Sequence, residues 1–137
     1  MPYFKLANAP LGVMAAALVS DLDAAATPFY AEAYTGSIPA TPATAITSQV
    51  KLGTITGSAD PSATNSAGLI TFNPMVQDDA ADASGTWTWI RLFKGDGTVW
   101  ADLDVGDLAS SATAKANTVT VVAGGPLRVN AFTIQIG

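Results

Sequence analysis

Along most of the chain, apolar and polar positions alternate in short runs separated by glycine, proline and small polar residues. Alternation with a period of two is typical of β-strands, and the separating residues are typical of turns. The pattern predicts strands over residues 29–35, 50–56, 69–73, 75–77, 84–97, 99–103, 117–122 and 127–136. Short strands at this spacing favour an all-β fold, a β-sandwich or jelly-roll-like domain.

The run 84–97 is predicted to be one long strand that enters a hairpin at Asp96-Gly97, because a tight primed turn needs positive φ at its centre. Alternation places large apolar side chains on both faces of this strand. Trp87, Trp89 and Phe93 share one face with Arg91, and Ile90 and Leu92 share the other. The strand is therefore expected to be central in the fold, or to be covered on one face by a partner.

The first 26 residues have a different pattern. Residues 1–10 are predicted to form an extended N-terminal arm that ends at Pro10, followed by a single domain over 11–137. That domain opens with a helix over 11–26, because apolar residues recur at three- and four-residue spacing before Pro28. These residues are Leu11, Met14, Leu18 and Leu22. The apolar run 11–19 is too short to span a bilayer, and Pro10 and the aspartates that follow the run are unlike a signal peptide.

The remaining segments are predicted to be irregular. Residues 36–43 contain Pro39 and Pro42, which interrupt hydrogen-bond ladders and favour an extended surface loop. Residues 57–68 are predicted to be a polar loop, and 106–116 have no clear pattern. In the last strand the apolar positions change from odd to even, which predicts a β-bulge or a crossing between sheets near Asn130-Ala131.

Composition limits the functions that the chain can have. Charged residues make up 12% of its 137 residues, against about 25% in typical soluble domains. Much of the surface is therefore expected either to meet other subunits or to consist of Ser, Thr, Ala and Asn. The net charge is −5, and the scattered basic residues form no patch for nucleic acid. They are Lys5, Lys51, Arg91, Lys94, Lys115 and Arg128.

The chain contains no cysteine and no histidine, which removes thiolate metal sites and the usual catalytic triads. Glu32 and scattered aspartates could in principle act as the acid and base of a glycosidase, but no pair flanks an aromatic cleft. The chain is therefore predicted not to be an enzyme.

Three acidic groupings could hold calcium. They are Asp102, Asp104 and Asp107; Asp78, Asp79 and Asp82; and Asp96 alone in the hairpin turn. None has the spacing of a helix-loop-helix calcium loop, so solvated loops are the favoured interpretation and no metal or cofactor is predicted. A structural calcium site is the alternative.

Tryptophan in a strand can also serve as a platform for a sugar ring, which would make the chain a carbohydrate-binding module. A core position or a subunit contact is the favoured interpretation of Trp87 and Trp89, because aromatic side chains dominate cores and interfaces.

From Phe29 onward, the chain resembles a family of small proteins encoded beside capsid genes in tailed phages and prophages. The resemblance is carried by 34–43 (YTGSIPATPA), 68–72 (GLITF), 83–93 (ASGTWTWIRLF) with 95–97, and 118–127 leading into 132–134. It implies a non-enzymatic virion protein of the capsid decoration or cement type, with a jelly-roll-like fold. Its implied place is the capsid surface, after synthesis in the bacterial cytoplasm.

The resemblance also implies partners: the major capsid protein and, in a dimer or trimer, copies of the chain itself, without nucleic acid or membrane. Extended segments can cover a partner without needing a core of their own, so they are the candidate interface. Its residues are Pro2, Tyr3, Phe4, Lys5, Leu6, Ile38, Pro39, Pro42, Trp87 and Trp89. A phage tail, fibre or adaptor component is the alternative within the virion.

Overall fold

The computed structural model describes residues 3–58, 62–129 and 131–136, with the backbone alone for 62–66 and Ala131. Within these residues the chain is mostly β, as predicted, with one short helix, α1 (Asn8–Leu22). The strands are β1 (Tyr30–Tyr34), β2 (Lys51–Thr56), β3 (Ser62–Ser66), β4 (Leu69–Phe72), β5 (Gly85–Thr86), β6 (Trp89–Phe93), β7 (Val99–Asp107), β8 (Ala114–Ala116), β9 (Thr120–Val121) and β10 (Ala131–Gln135). No helix among the described residues is long and apolar enough to cross a membrane.

Eight of these strands form one sheet in the order β2-β1-β6-β7-β8-β10-β4-β3, and β5 pairs with β9 in a small second sheet. Neighbouring strands are antiparallel except β7 and β8, which run parallel. β8 is a short link, since it pairs only with residues 105–107 of β7 and with the first two residues of β10. The large sheet is therefore divided over most of its length between β7 and β10.

The two halves of the divided sheet contribute to one hydrophobic core. Phe72 on β4 stacks on Phe132 on β10, with ring centroids 4.3 Å apart, and meets Phe29 edge-on at 6.5 Å. Ile90 and Leu92 on β6 are buried in the same cluster. Burial of each such side chain contributes about 1.5–3 kcal/mol, so this core is the main source of stability.

The segment 84–97 is not one strand, as the sequence predicted, but two. β5 pairs with β9, whereas β6 pairs with β1 and β7, so the chain changes sheets at Trp87 and Thr88. The change also separates the tryptophans, because Trp87 lies in the core cluster and Trp89 stacks on Tyr34 instead. Strict alternation, which placed both on one face, is therefore wrong at this point.

The predicted hairpin at Asp96-Gly97 is present, but its turn differs from the primed type. Only Gly97 has a positive φ, at 90°, and its N–H donates to the Lys94 carbonyl at 2.9 Å. The Asp96 carboxylate accepts from the Thr98 N–H at 2.9 Å, which holds the pKa of that carboxyl below its usual value. A turn followed by a left-handed glycine is the three-residue type of hairpin connection.

Helix α1 begins three residues before the predicted start at residue 11 and ends four residues before residue 26. Pro10 lies in its first turn, where the missing N–H has no intrahelical partner to lose. The buried positions are Ala15 and Leu22, with Val19 packed against the core, so Met14 and Leu18 point outward. The predicted inner face is therefore rotated, and the arm is shorter than residues 1–10.

Other loop predictions are corrected in part. The polar segment 57–68 contains β3, which returns into β4 through Ala67 and Gly68, with φ of 51° and 85°. This turn has no Asn or Asp to signal it. The segment 106–116 contains the end of β7 and all of β8. In the last predicted strand, the odd-numbered Leu127 and Val129 and the even-numbered Phe132 all lie in the core. Asn130, where the bulge was predicted, lies outside the described residues.

Candidate partner-binding surface

The outer face of β1, β6 and β7 carries a row of charged and aromatic side chains. In the register of these strands, Glu32 lies opposite Arg91, and Arg91 lies opposite Asp102. Tyr34 and Trp89 form the neighbouring pair. A sheet face with this composition would normally be solvated, yet Arg91 and Trp89 are both buried.

Arg91 is bound on three sides. Its Nε and Nη2 donate to the two Asp102 carboxylate oxygens at 2.7 and 2.9 Å, and both side chains are 5% exposed. Its Nη1 donates to the Thr44 carbonyl at 2.9 Å, and the guanidinium lies 5.4 Å from the centre of the Trp89 ring. The hydrogen bond to Asp102 raises the pKa of Arg91 further above its usual value, so the guanidinium stays charged.

Thr44 belongs to the loop between β1 and β2, here called the proline loop (residues 35–50). Trp89 Nε1 donates to the Thr35 carbonyl at 3.1 Å, and the Thr88 hydroxyl donates to the Gly36 carbonyl at 2.6 Å. The proline loop is therefore fastened to the sheet at its start, through Thr35 and Gly36, and again at Thr44. Irregular backbone that is held in this way can present a defined surface to a partner.

Tyr34 completes the covered face. Its ring stacks on Trp89 with centroids 4.7 Å apart, and its hydroxyl donates to Glu32 at 3.1 Å. Burial, together with the nearby charge of Glu32, raises the pKa of Tyr34 to about 12. Lys51 pairs with the same Glu32 at 3.0 Å. These ionisable groups bind one another, so their arrangement is structural.

The acidic groupings that suggested calcium are occupied by protein donors. Asp102 binds Arg91, and Asp104 Oδ1 accepts from the Thr113 N–H at 2.9 Å, which lowers the pKa of Asp104. Asp78 accepts from two backbone N–H groups, those of Thr54 and Ala80. Within the described ranges no three metal-binding side chains come together.

The candidate interface residues fall into two classes. In the arm, Tyr3 and Phe4 are 88% and 83% exposed, Lys5 is exposed and Leu6 is half-buried. In the proline loop, Ile38 and Pro42 are exposed and Pro39 is half-buried. Pro2 lies outside the described residues.

Trp87 and Trp89 do not belong to this surface, because both side chains are buried inside the chain, with 1% and 0% exposure. Their burial corrects their assignment to a partner interface. It also leaves neither ring accessible to a sugar.

Two features of this region were not predicted from the sequence. The first is the outer side of α1, where Val13, Met14 and Leu18 are 70%, 44% and 37% exposed. The second is the buried Arg91–Asp102 pair. Counting outward from Asp96-Gly97 pairs position 91 with position 102, so the hairpin signal itself could have identified that pair.

A groove lies where the large sheet divides. Two adjoining cavities of about 530 and 580 Å³ share Leu103 of β7 and Ile134 of β10 as lining residues. The first is closed on one side by α1, where Asp21 accepts from Trp100 Nε1 at 3.2 Å and pairs with Lys94 at 3.2 Å. The exposed apolar side of α1 is continuous with this groove through Leu18.

Comparison with known proteins identifies no relative. No protein-family model matches the chain, no curated protein matches it and no solved structure matches it. The family resemblance of the sequence therefore remains a hypothesis.

Proposed function

We propose that this chain is a non-enzymatic structural protein of a phage virion, a decoration or cement protein on the surface of the head. It is made in the cytoplasm of the bacterial host and binds the assembled shell of the major capsid protein as a homo-oligomer. We also propose that the ten strands are arranged in a jelly-roll-like way. The family resemblance of residues 29–134 motivates these proposals.

The observation that carries the proposal is the exposure of large apolar side chains on a charge-poor surface. Tyr3 and Phe4 in the arm and Val13 and Met14 on α1 are all exposed, with Lys5 as the single charge among residues 1–20. Soluble monomers rarely expose apolar patches of more than a few hundred Å² unless the patch binds something. A partner surface accounts for this composition.

The proposed contact to the shell is the proline loop. Its backbone is fastened through Arg91, Trp89 and Thr88, while Ile38 projects with 42% exposure. A fixed loop loses little conformational freedom on binding, which favours affinity. Because the protein binds the assembled shell in preference to unassembled subunits, it stabilises the shell by mass action.

The test is cosedimentation of the purified chain with expanded heads that lack it, followed by heating of the heads. We expect binding at saturable copy number and a higher temperature of head rupture. Ile38→Ser should weaken binding of the chain to heads about tenfold or more. The control is Val122→Ser, which also replaces an exposed apolar residue but lies outside the proline loop and should leave binding unchanged. Heads that neither bind the chain nor gain heat resistance would exclude this function. Binding of the chain to phage tails and not to heads would favour the alternative function, a tail component.

A further inference from the structure

The groove is bordered by strand edges that have no partner. β7 pairs with β6 over residues 99–104 on one edge, and no strand of the described chain pairs with its other edge there. β10 likewise pairs with β4 over 133–135 on one edge only. An open edge is a template for an added strand, because its N–H and C=O groups are available.

The arm has the properties of such a strand. Residues 3–6 are outside any helix or strand, and they take part in none of the hydrogen bonds found in the described chain. Ala7, which follows them, has an extended backbone with φ −70° and ψ 167°. Tyr3 and Phe4 are almost fully exposed, so the first described residues of the arm make little contact within their own chain.

The side-chain pattern of the arm matches that of β7. Ala101 and Leu103 lie opposite the core residues Leu92 and Ile90, so they face the groove, whereas Asp102 and Asp104 lie on the other face. An added strand must alternate in the same way. Phe4 and Leu6 alternate with Tyr3 and Lys5, which gives one apolar and one polar face.

The charges are also complementary. β7 carries three carboxylates and no basic residue, and Lys5 is the only charge in the arm. Asp102 is already bound by Arg91, whereas Asp104 is exposed. A strand added to β7 with its apolar face in the groove places Lys5 on the face that carries Asp104.

Within one molecule, the arm would have to run back along α1 almost fully extended to reach this edge. Leu11 lies beside Gly68, at the β3–β4 end of α1, and Leu18 lines the groove about 15 Å further along the helix axis than Asn8. Phe4 is four residues before Asn8 and extends at most about 14 Å from it. A neighbouring copy has no such restriction.

We propose that residues 3–6 of a second copy of this chain add as a strand to the open edge of β7. Phe4 and Leu6 occupy the groove beside Ala101 and Leu103, and Lys5 pairs with Asp104. This proposal rests on the homo-oligomer of the proposed function and assigns its interface, which leaves the proline loop for the shell.

The test is sedimentation velocity of the purified full chain without heads. We expect concentration-dependent self-association, weakened about tenfold by Lys5→Glu and by Asp104→Lys, and restored in the double variant. Asp82→Lys changes the net charge equally at another exposed aspartate and should leave association unchanged. Restoration excludes misfolding of Asp104→Lys as the cause of its effect.

A monomeric wild-type chain at about 100 μM would overturn the proposal, and so would a double variant no better than the single ones. If Lys5→Glu leaves the strength of self-association unchanged, the chain is an oligomer but the arm is not its interface. A second measurement uses the absence of cysteine. Mixing Phe4→Cys with Ala101→Cys should give an oxidised dimer of the two variants, and mixing Phe4→Cys with Ala43→Cys should not. Binding of the chain to heads is measured separately, so failure of the proposed function can be distinguished from failure of this interface.

Discussion

The two edges of β7 show how differently the same strand can be used. On the β6 side, its residues meet a complete partner strand, and the face above is closed by an ion pair, an aromatic stack and the proline loop. On the other side, residues 99–104 border a groove lined with apolar side chains. The first edge stabilises the domain. Along the second edge, the backbone groups of residues 99–104 have no partner strand in the described part of the same chain.

The difference follows from hydrogen-bond satisfaction. Arg91 and Asp102 can be buried because each ionised group has its partner, and the Thr44 carbonyl takes a further donor. At the groove, backbone groups can bind water, so the opening is tolerated without a partner. The covered face should therefore be sensitive to single substitutions, and the groove should not.

The largest expected effect is that of Asp102→Ala, which leaves Arg91 buried without its counter-ion. We expect the free energy of unfolding to fall by about 3–5 kcal/mol in urea titrations. The double change Arg91→Met with Asp102→Leu removes both charges and should recover most of that loss. An equal loss in the double variant would mean that packing, and not the unpaired charge, is responsible.

At the groove, Trp100→Ala should cost less, about 1–2 kcal/mol, since the ring is half-buried and loses one hydrogen bond to Asp21. Iodide should quench Trp100 fluorescence, while the two buried tryptophans should be protected. Strong quenching that persists in Trp100→Ala would show that the covered face opens to solvent.

A smaller effect concerns alkaline pH. The pKa of Tyr34 is about 12 in the folded chain and about 10 when unfolded, so its contribution is fully present below pH 10. It is lost as the pH rises through about 12, because unfolding then releases a proton. Tyr34→Phe should therefore lose less stability than the wild type between pH 10 and 12 in thermal melts followed by circular dichroism. Parallel curves would contradict this assignment.

The smallest expected effect is that of Asp104→Asn in a monomeric sample at low concentration. The Thr113 N–H lowers the folded pKa of Asp104, so its stabilisation is present above pH about 4 and is lost as the pH falls through the folded value. Because the carboxylate is exposed, we expect a loss of about 0.5 kcal/mol or less at pH 7. The variant and the wild type should converge in stability as the pH falls through the folded pKa of Asp104.

The sequence predicted the covered face better than the groove. In β1 the alternation of the sequence matches the two faces of the strand, with Glu32 and Tyr34 on one side and Ala31 and Ala33 on the other. It failed for α1, because alanines fit either side of a helix and leave its rotation to tertiary packing. It also failed for β3, because the small polar residues of this strand show no alternation of apolar and polar positions.

The groove could not be predicted, because it depends on how β8 links two distant strands. Nothing in residues 114–116 indicates a parallel pairing with β7 on one side and an antiparallel pairing with β10 on the other. The extended arm that carries Tyr3 and Phe4 was predicted from the irregular start of the chain. The edge of β7 to which we propose that the arm binds was not predicted.

Helix α1 has a consequence for synthesis of the chain. It precedes all the strands in the sequence, yet it packs on β3 and β4, and Asp21 binds Lys94 and Trp100. Domains fold during synthesis as their contacts become available. All residues up to Trp100 must therefore be made before these contacts of the helix can form, and until then its apolar side is exposed on the nascent chain.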